Sequence, residues 1–298
     1  MNWYKDKQKE WLEIINVVSS EIKKDTTIIE KDLIQSLFLY RLSQYDFPFV
    51  FKGGTSLSKA YGLIDRFSED IDLSSSKKLT ASEKRLSKKI ILETAANIGL
   101  TLDNEDTIKS KYDYNRYVFK YISLFTLKKL ESIVETNFYS PVYPTCNHKI
   151  NCFITEFCRK NEIILPVQFD AYDFEMCIQT LDRTFVDKVF AICDYRLENM
   201  WDRDSRHLYD IAKILPYVSV NDGLKDLIIN VRTDRMKSKN NPSAQSRYDI
   251  NSLLKEIVES RFFESDYNNL TKKLLYEKYT YDDAIRNGIL KVLEINIF

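Results

Sequence analysis

The stretch "FKGGTSLSKAYGLIDRFSEDIDLSSS" occupies residues 51–76 of a chain of 298 residues. It contains three of the six glycines of the chain and two aspartates, Asp70 and Asp72, with one isoleucine between them. The apolar run "FPFVFK" (47–52) predicts a short buried strand before the glycines, and the alternation in "DIDLS" (70–74) predicts a second strand. Paired glycines therefore follow one strand, and paired carboxylates lie in the next.

Gly53 and Gly54 stand where the first strand ends and a helix is predicted to begin, with Thr55 or Ser56 as its N-cap. A glycine turn allows the backbone to approach a ligand closely. The free N–H groups at the start of a helix favour an anion. A simple structural turn is the alternative interpretation, and it requires no ligand.

Asp70 and Asp72 are two residues apart on a strand, so their side chains face the same side. Two carboxylates on one side repel each other unless a cation lies between them. Mg²⁺ binds to a few carboxylates, waters and substrate phosphates. A phosphate-binding turn beside a metal-binding strand is the arrangement that nucleotidyl transfer requires. A solvated strand edge is the alternative for the aspartates alone.

The composition excludes several classes of protein. Because 44 basic residues balance 44 acidic residues, nucleic-acid binding would need a local basic face. The five cysteines, an odd number, predict reduced thiols in a cytoplasmic protein. No apolar run is long enough to span a membrane, and the N-terminus lacks the apolar core of a signal peptide.

The predicted strands lie in the middle of the chain, with helices before and after them. They are 47–52, 70–74, a hairpin of 116–125 and 131–138, and 162–172. This order predicts an α+β domain at 26–180 and a helical domain at 181–298. Residues 1–25 are predicted to form an N-terminal helix that packs on one of the two.

Five motifs of this chain are found together in one protein family. They are "IIEKDLIQSLFLYRL" (28–42), "FKGGTSLSKAYGLIDRFSEDIDL" (51–73), "SIVETNF" (132–138), "RTFVDKVFAI" (183–192) and "RDSRHLYDIAKIL" (203–215). In these motifs the chain resembles the AbiEii/AbiGii-type abortive-infection toxins. These toxins are nucleotidyltransferases of bacterial type IV toxin–antitoxin systems, within the polymerase-β-like superfamily. The resemblance implies a nucleotidyltransferase-fold lobe with a small mixed sheet, plus a helical lobe.

The resemblance also implies roles for individual residues. The residues implied to contact the nucleotide are Gly53, Gly54, Thr55 and Ser56 in the phosphate-binding turn, together with Ser68 and the supporting cations Arg66 and Arg206. The fifteen residues 55–69 form a longer spacer between the glycines and Asp70 than is usual in the superfamily.

The implied catalytic residues are Asp70, Asp72, Lys188 and Asp210. Asp70 and Asp72 would bind Mg²⁺ or Mn²⁺ with Glu135 as the third carboxylate, a role for which Glu131 and Asp170 compete. Lys188 would meet the triphosphate of an NTP, and Asp210 would complete the later motif. The alternative for both is a surface role, since Asp210 is spaced for an i,i+4 pair with Arg206.

The implied reaction transfers an NMP from an NTP to an acceptor, by resemblance an RNA such as the tRNA 3′ end. Growth arrest would follow, and a cognate antitoxin would be the protein partner. Two alternatives remain open. The first alternative is a catalytically inactive nucleotide- or protein-binding module of the same fold. The second is a nucleotidyltransferase that modifies a small molecule or a protein hydroxyl.

Two further features are local. Basic residues are concentrated in 77–89 and 232–247, where they predict either RNA contacts or solvated surface. The second feature is a cluster of cysteines and one histidine with spacings that match no common zinc site, so buried thiols are expected there. Its members are Cys146, His148, Cys152 and Cys158.

Overall fold

The computed structural model describes residues 6–109, 112–164 and 173–298. The chain divides into two compact units. The first comprises Met1–Tyr61 and Ser68–Ile178, and the second comprises Gly62–Phe67 and Gln179–Phe298. The chain thus enters the second unit briefly between the glycine turn and the acidic strand, a crossing that the predicted division at 180 does not contain.

The first unit is built on a sheet that has seven strands within the described residues, in the order β3-β4-β5-β2-β1-β7-β6. The strands are β1 (Phe49–Lys52), β2 (Asp70–Ser75), β3 (Thr101–Leu102), β4 (Tyr114–Ile122), β5 (Lys129–Asn137), β6 (Thr145–Lys149) and β7 (Glu175–Gln179). Antiparallel pairs β1–β2 and β4–β5 occur beside parallel pairs β2–β5 and β1–β7. The predicted mixed sheet is confirmed, although it is larger than expected.

Helices cover one face of this sheet. The helices of the first unit are α1 (Gln8–Ile22), α2 (Thr26–Ser43), α3 (Gly53–Lys59), α4 (Ala81–Asn97) and α5 (Phe153–Lys160). Helix α1 packs on α2 and α5, and Trp11 on α1 is fully buried. The apolar core contains Trp11 together with inward-facing residues of the strands, among them Phe51, Leu73, Phe119 and Val134.

The opposite face of the same strands is polar. Side chains alternate along a strand, so the neighbours of core residues Phe51, Leu73 and Val134 point away from the helices. On β1, β2, β5 and β4 the residues of this polar sheet face include Lys52, Asp70, Asp72, Glu135 and Arg116. The two predicted metal ligands therefore share a face, as the spacing in the sequence required.

The second unit is helical apart from one β-bridge, between Arg66 and Leu275, in its described part. Its helices are α6 (Leu181–Leu197), α7 (Arg206–Ile214), α8 (Asp222–Arg235), α9 (Ile250–Glu259), α10 (Glu264–Asp266), α11 (Lys272–Leu274), α12 (Tyr281–Ala284) and α13 (Leu290–Ile295), with π-helical turns at Tyr267–Thr271 and Ile285–Ile289. A search of the described residues finds no helix with the length and apolar character needed to cross a membrane.

Two local predictions are changed by the structure. The proposed helix cap at Thr55 or Ser56 is wrong, because α3 begins at Gly53 directly after Lys52. The extended segment predicted at 162–172 lies mostly outside the described residues. All five cysteines are free, and Cys152 and Cys158 are buried as expected. The prediction of a buried thiol is wrong for Cys146, which is exposed.

Candidate active site

Gly53 and Asp72 are in direct contact. Gly53 adopts a φ of +78°, a conformation that residues with a side chain rarely adopt. A Cβ atom at this position would overlap Oδ2 of Asp72 and would lie 2.7 Å from its Cγ. The Asp72 carboxylate thus occupies the space that a side chain at position 53 would fill. Glycine is required here for two independent reasons, the backbone conformation and the carboxylate.

The hydroxyls after the glycines hold the turn against β2. Thr55 and Ser56 are almost completely buried. The Thr55 hydroxyl donates to the carbonyl oxygen of Asp70 at 2.5 Å and lies 2.8 Å from Oγ of Ser68. The Ser56 hydroxyl donates to the carbonyl oxygen of Gly53 at 2.8 Å. These bonds fix the turn relative to the acidic strand, and any contact of these residues with a nucleotide stays a prediction.

A third carboxylate lies beside the aspartates. In the parallel pairing of β2 and β5, Asp72 is directly opposite Glu135, so both side chains point to the polar sheet face. Partial burial, followed by the charges of Glu135 and Asp72, raises the pKa of Tyr114 to about 12. Tyr114 is therefore a neutral hydrogen-bond donor at this edge of the site.

Arg116 neutralises part of this charge. It lies opposite Glu135 in the β4–β5 pairing, and its Nε atom is 3.3 Å from Oε1 of Glu135. Over residues 6–109, 112–164 and 173–298, no group of three His, Cys, Asp or Glu side chains is placed to hold a metal ion. The oxygen donors of Asp70 and Asp72 nevertheless suit Mg²⁺ or Mn²⁺ chemically. The ion pair with Arg116 involves Oε1 of Glu135, so Oε2 could still join them.

The other candidates for a third carboxylate have different surroundings. Glu131 forms an ion pair with Lys120, and the hydrogen bond from Lys120 lowers the pKa of Glu131. It lies four residues before Glu135 on β5, about 13 Å along the strand. Asp170 lies outside the described residues. The strand register therefore favours Glu135, whose role as a metal ligand stays a prediction.

The predicted residues of the helical motifs form a buried cluster in the second unit. Asp210 is fully buried and accepts two hydrogen bonds from Arg66, at 2.7 Å from Nε and 2.8 Å from Nη2. Lys188 donates to Oδ2 of the same carboxylate at 2.6 Å. Lys188 is only 6% exposed, so the alternative of a solvated surface charge is wrong for it. Two cations share one buried carboxylate.

His207 and Arg206 flank this cluster. Nδ1 of His207 lies 3.2 Å from Nζ of Lys188. A neutral His207 ring can accept a hydrogen bond from Lys188 at Nδ1 when its proton is on Nε2. Arg206 instead forms an ion pair with Asp204 at 2.9 Å and stays partly exposed. The i,i+4 pair expected between Arg206 and Asp210 does not form, because Asp210 binds Arg66 and Lys188.

Burial and charge together set the protonation states of the cluster. Burial would raise the pKa of Asp210, but Arg66 and Lys188 hold it well below its usual range. Burial lowers the pKa of Lys188, and the charge of Asp210 opposes that shift. Burial and then the Lys188 charge lower the pKa of His207 to about 4. At neutral pH the Asp210 carboxyl is therefore ionised, and the His207 imidazole is neutral.

Comparison with known families decides the class of the protein. The model of the AbiEii family, described as the nucleotidyl transferase AbiEii toxin of type IV toxin–antitoxin systems, matches residues 37–287. This chain belongs to the AbiEii family. It is therefore a nucleotidyltransferase of a toxin family, as the motifs implied. The match extends well beyond residue 215, so the helices after the last recognised motif also belong to the AbiEii pattern.

Solved structures agree on the fold. MenT4, a nucleotidyltransferase toxin from Mycobacterium tuberculosis, is similar with a TM-score of 0.55 and 16% identity, over 94% of this chain and 88% of that one. A protein from H. pylori, described provisionally as a nucleotidyltransferase, is similar with a TM-score of 0.50 and 17% identity, over 91% and 97%. No curated protein sequence matches the chain.

The structure separates the predicted site residues into two groups. The first unit brings together the glycine turn, Ser68, Asp70, Asp72 and Glu135. The second unit brings together Arg66, Lys188 and Asp210, with Arg206 beside them. The sequence analysis did not assign Lys52, Tyr114 or Arg116 to this site, although it predicted a strand at 116–125.

Replacing Gly53 with alanine should remove activity through Asp72. Gly62 provides a matched control, because its φ is +63° and nothing lies within 4 Å of the position of an added Cβ. Both Gly53→Ala and Gly62→Ala should lose roughly 1–2 kcal/mol of folding stability through backbone strain. Only Gly53→Ala should also lose nucleotidyl transfer, measured as label moved from an α-labelled NTP. Equal activity in the two variants would contradict the role given to the Gly53–Asp72 contact.

The buried imidazole of His207 should make stability depend on pH. Its folded pKa of about 4 is below the ordinary value of 6.5, so between these values the unfolded chain binds a proton that the folded protein does not. The free energy of unfolding should therefore decrease as the pH falls from 6.5 to 4, by up to about 3 kcal/mol from this group.

The variant His207→Asn keeps an acceptor for Lys188 but cannot titrate, so urea unfolding between pH 6.5 and 4 should show a flatter dependence on pH. His148 is the other histidine of the chain, and His148→Asn serves as the control. An unchanged slope in His207→Asn would assign the acid sensitivity to other groups.

Proposed function

We propose that this AbiEii-family chain transfers an NMP from an NTP to the 3′ end of an RNA such as tRNA, in a reaction that depends on Mg²⁺ or Mn²⁺. The observation that supports this most directly is the contact between the glycine turn and the Asp72 carboxylate. It joins a possible phosphate site to a possible metal site in a chain whose family is one of nucleotidyltransferases.

In this reaction the 3′ hydroxyl of the acceptor gives up its proton to solvent, and its oxygen forms a bond to the α-phosphorus of the NTP. The bond between the α-phosphorus and the bridging oxygen of the β-phosphate breaks, and pyrophosphate leaves. Asp70 and Asp72 would hold the cation, which supplies charge stabilisation to the α-phosphate and the leaving pyrophosphate. The protein itself must position the acceptor and the NTP and must stabilise the negative charge of the phosphates.

The residues beside the aspartates have separate tasks in this proposal. Gly53 leaves room for the Asp72 carboxylate, and Thr55 fixes the turn to the carbonyl of Asp70. Glu135 would complete the set of carboxylates. Lys188 and Asp210 keep the catalytic roles that the resemblance gives them, as proposals that the buried Lys188–Asp210 ion pair makes testable.

A local set of basic residues supports RNA as the acceptor. Within 77–89, Lys77, Lys84 and Lys89 form ion pairs with acidic side chains. Lys78 and Arg85 are exposed and have no ion-pair partner among the described residues. These two are the cations available to bind a phosphate backbone. The second basic stretch is largely used by the fold, since Arg232 donates to three carbonyls and Arg235 pairs with Asp194.

The biological context follows from the family. Toxins of type IV systems are paired with an antitoxin, so we propose a cognate antitoxin as the protein partner, with growth arrest or abortive infection as the outcome of unopposed activity. The site of action would be the cytoplasm, where NTPs and tRNA occur.

Labelled transfer tests this proposal directly. The protein is incubated with Mg²⁺, total RNA and each α-labelled NTP in turn. Label should enter RNA, from one or a few of the four NTPs, and should require the metal. Asp72→Asn removes one charge but keeps the shape of the side chain, so transfer should fall by at least roughly 10²–10³ with little change in melting temperature.

Other outcomes identify the alternatives. Label in a small molecule or in a protein would replace RNA as the acceptor. Growth arrest that persists with Asp72→Asn would indicate a catalytically inactive binding module. As a control for RNA contact, Lys78→Ala should weaken RNA binding most clearly at low salt and reduce its dependence on salt, without changing the requirement for metal.

A further inference from the structure

Lys52 occupies a distinctive position on the polar sheet face. It is the last residue of β1 and directly precedes Gly53. In the antiparallel pairing of β1 and β2 its Cα partner is Asp72, so the side chains of Lys52 and Asp72 lie on the same face. The core residue Phe51 points to the other face. Lys52 is thus the nearest cation to Asp72 across the β1–β2 pairing.

Four charged residues in register cross this face. Lys52, Asp72, Glu135 and Arg116 lie opposite one another on the adjacent strands β1, β2, β5 and β4. The two carboxylates in the centre are therefore flanked by one cation on each side. Such a row balances its own charge only if both cations stay close to the carboxylates.

The two cations are used differently. Arg116 forms an ion pair with Glu135. Lys52 is partly buried, yet it has no hydrogen-bond or ion-pair partner among the described residues. No contact within the described part of the fold engages the ammonium group of Lys52, although its Cα partner is Asp72. The charge of Lys52 is available for a ligand that brings negative charge to this face.

We infer that Lys52 binds the phosphate groups of the NTP. This inference rests on the proposed function, because it takes the NTP to bind at Asp70 and Asp72. A triphosphate placed there adds several negative charges to a face that already carries three carboxylates, and Arg116 is engaged with one of them. Lysine suits this task, since its ammonium group acts as a compact point charge for phosphate.

The position of Lys52 favours the NTP over the RNA backbone as the source of that phosphate. Lys52 is continuous in sequence with the glycine turn, whereas the exposed cations Lys78 and Arg85 belong to a separate stretch after β2. The experiment must therefore measure RNA binding separately from NTP binding, so that an effect of Lys52 on each can be told apart.

Lys129 is a matched control on the same sheet. It begins β5, shares the polar sheet face with Glu135 and has no ion-pair partner among the described residues. It lies six residues from Glu135 on the same strand, about 20 Å away. The variants Lys52→Met and Lys129→Met therefore remove the same charge from the same face, at and away from the carboxylates.

Equilibrium binding of each NTP and of the matching nucleoside, with Mg²⁺, tests the inference on the full chain. Lys52→Met should weaken binding of the preferred NTP roughly 10- to 100-fold. It should leave nucleoside binding unchanged, because a nucleoside has no phosphate. Lys52→Arg should recover most of the affinity for the NTP, and Lys129→Met should behave as wild type.

Several results would overturn the inference. These are wild-type affinity of Lys52→Met for the NTP, equal weakening for NTP and nucleoside, or weakening for RNA alone. If Lys52→Met binds and transfers normally while the wild type also transfers, only the Lys52 assignment fails. If the wild type binds no NTP, the proposed function fails and the Lys52 assignment fails with it.

Discussion

The contact of the Asp72 carboxylate with the α-carbon of Gly53 is the constraint on which the rest of the site depends. It exists because β1 and β2 pair antiparallel with Lys52 opposite Asp72, which brings the first residue of α3 against the second aspartate. The hydrogen bond from the Thr55 hydroxyl to the carbonyl oxygen of Asp70 also holds the start of α3 against the backbone of β2. With this geometry set, the parallel pairing of β2 with β5 brings Glu135 next to Asp72.

A second constraint explains the long spacer between the glycines and Asp70. After α3 the chain contributes Gly62–Phe67 to the second unit and then returns to form β2. Arg66 is held there by the two hydrogen bonds to Asp210 and by the bridge to Leu275, while the N–H of Phe67 donates to the carbonyl of Leu274 at 2.9 Å. The C-terminal helical region therefore has a defined task, which is to hold the segment that separates the turn from the acidic strand.

The buried charges of Arg66, Asp210 and Lys188 are costly to remove from water. A buried ion pair gains little net stability over an apolar substitute, but loss of one partner leaves a desolvated charge and costs about 3–5 kcal/mol. Asp210 serves both Arg66 and Lys188, so its removal would leave two buried cations. Such an arrangement sets geometry more than it adds stability, which fits a cluster formed by motif residues of an enzyme family.

Sequence alone predicted the parts of the molecule that depend on local pattern. Alternation showed that Asp70 and Asp72 share a face, and helical periodicity located α2, α4 and the helices after 180. Register between strands is not local, so Lys52, Tyr114 and Arg116 could not be assigned to the site before the pairing was known. The short strands β3, β6 and β7 were missed, and two of them, β3 and β6, lack the apolar run that identified β1.

The burial of charged side chains also could not be predicted from the sequence. Lys188 and Arg66 look like ordinary surface cations in the sequence. Only the packing of α6 and of the segment Gly62–Phe67 on α7 shows that both meet Asp210. The cap assigned to Thr55 or Ser56 failed for a related reason. Helix α3 begins at Gly53 without a side-chain cap, and both hydroxyls are used to hold the turn.

The location of a bound divalent cation tests the central claim most directly. A crystal of the protein with Mn²⁺ and a non-hydrolysable NTP analogue gives an anomalous signal that marks the metal independently of any activity. The account predicts Mn²⁺ coordinated by Asp70 and Asp72, with the triphosphate beside the Gly53 turn. A metal bound elsewhere, with the triphosphate away from both aspartates, would contradict it.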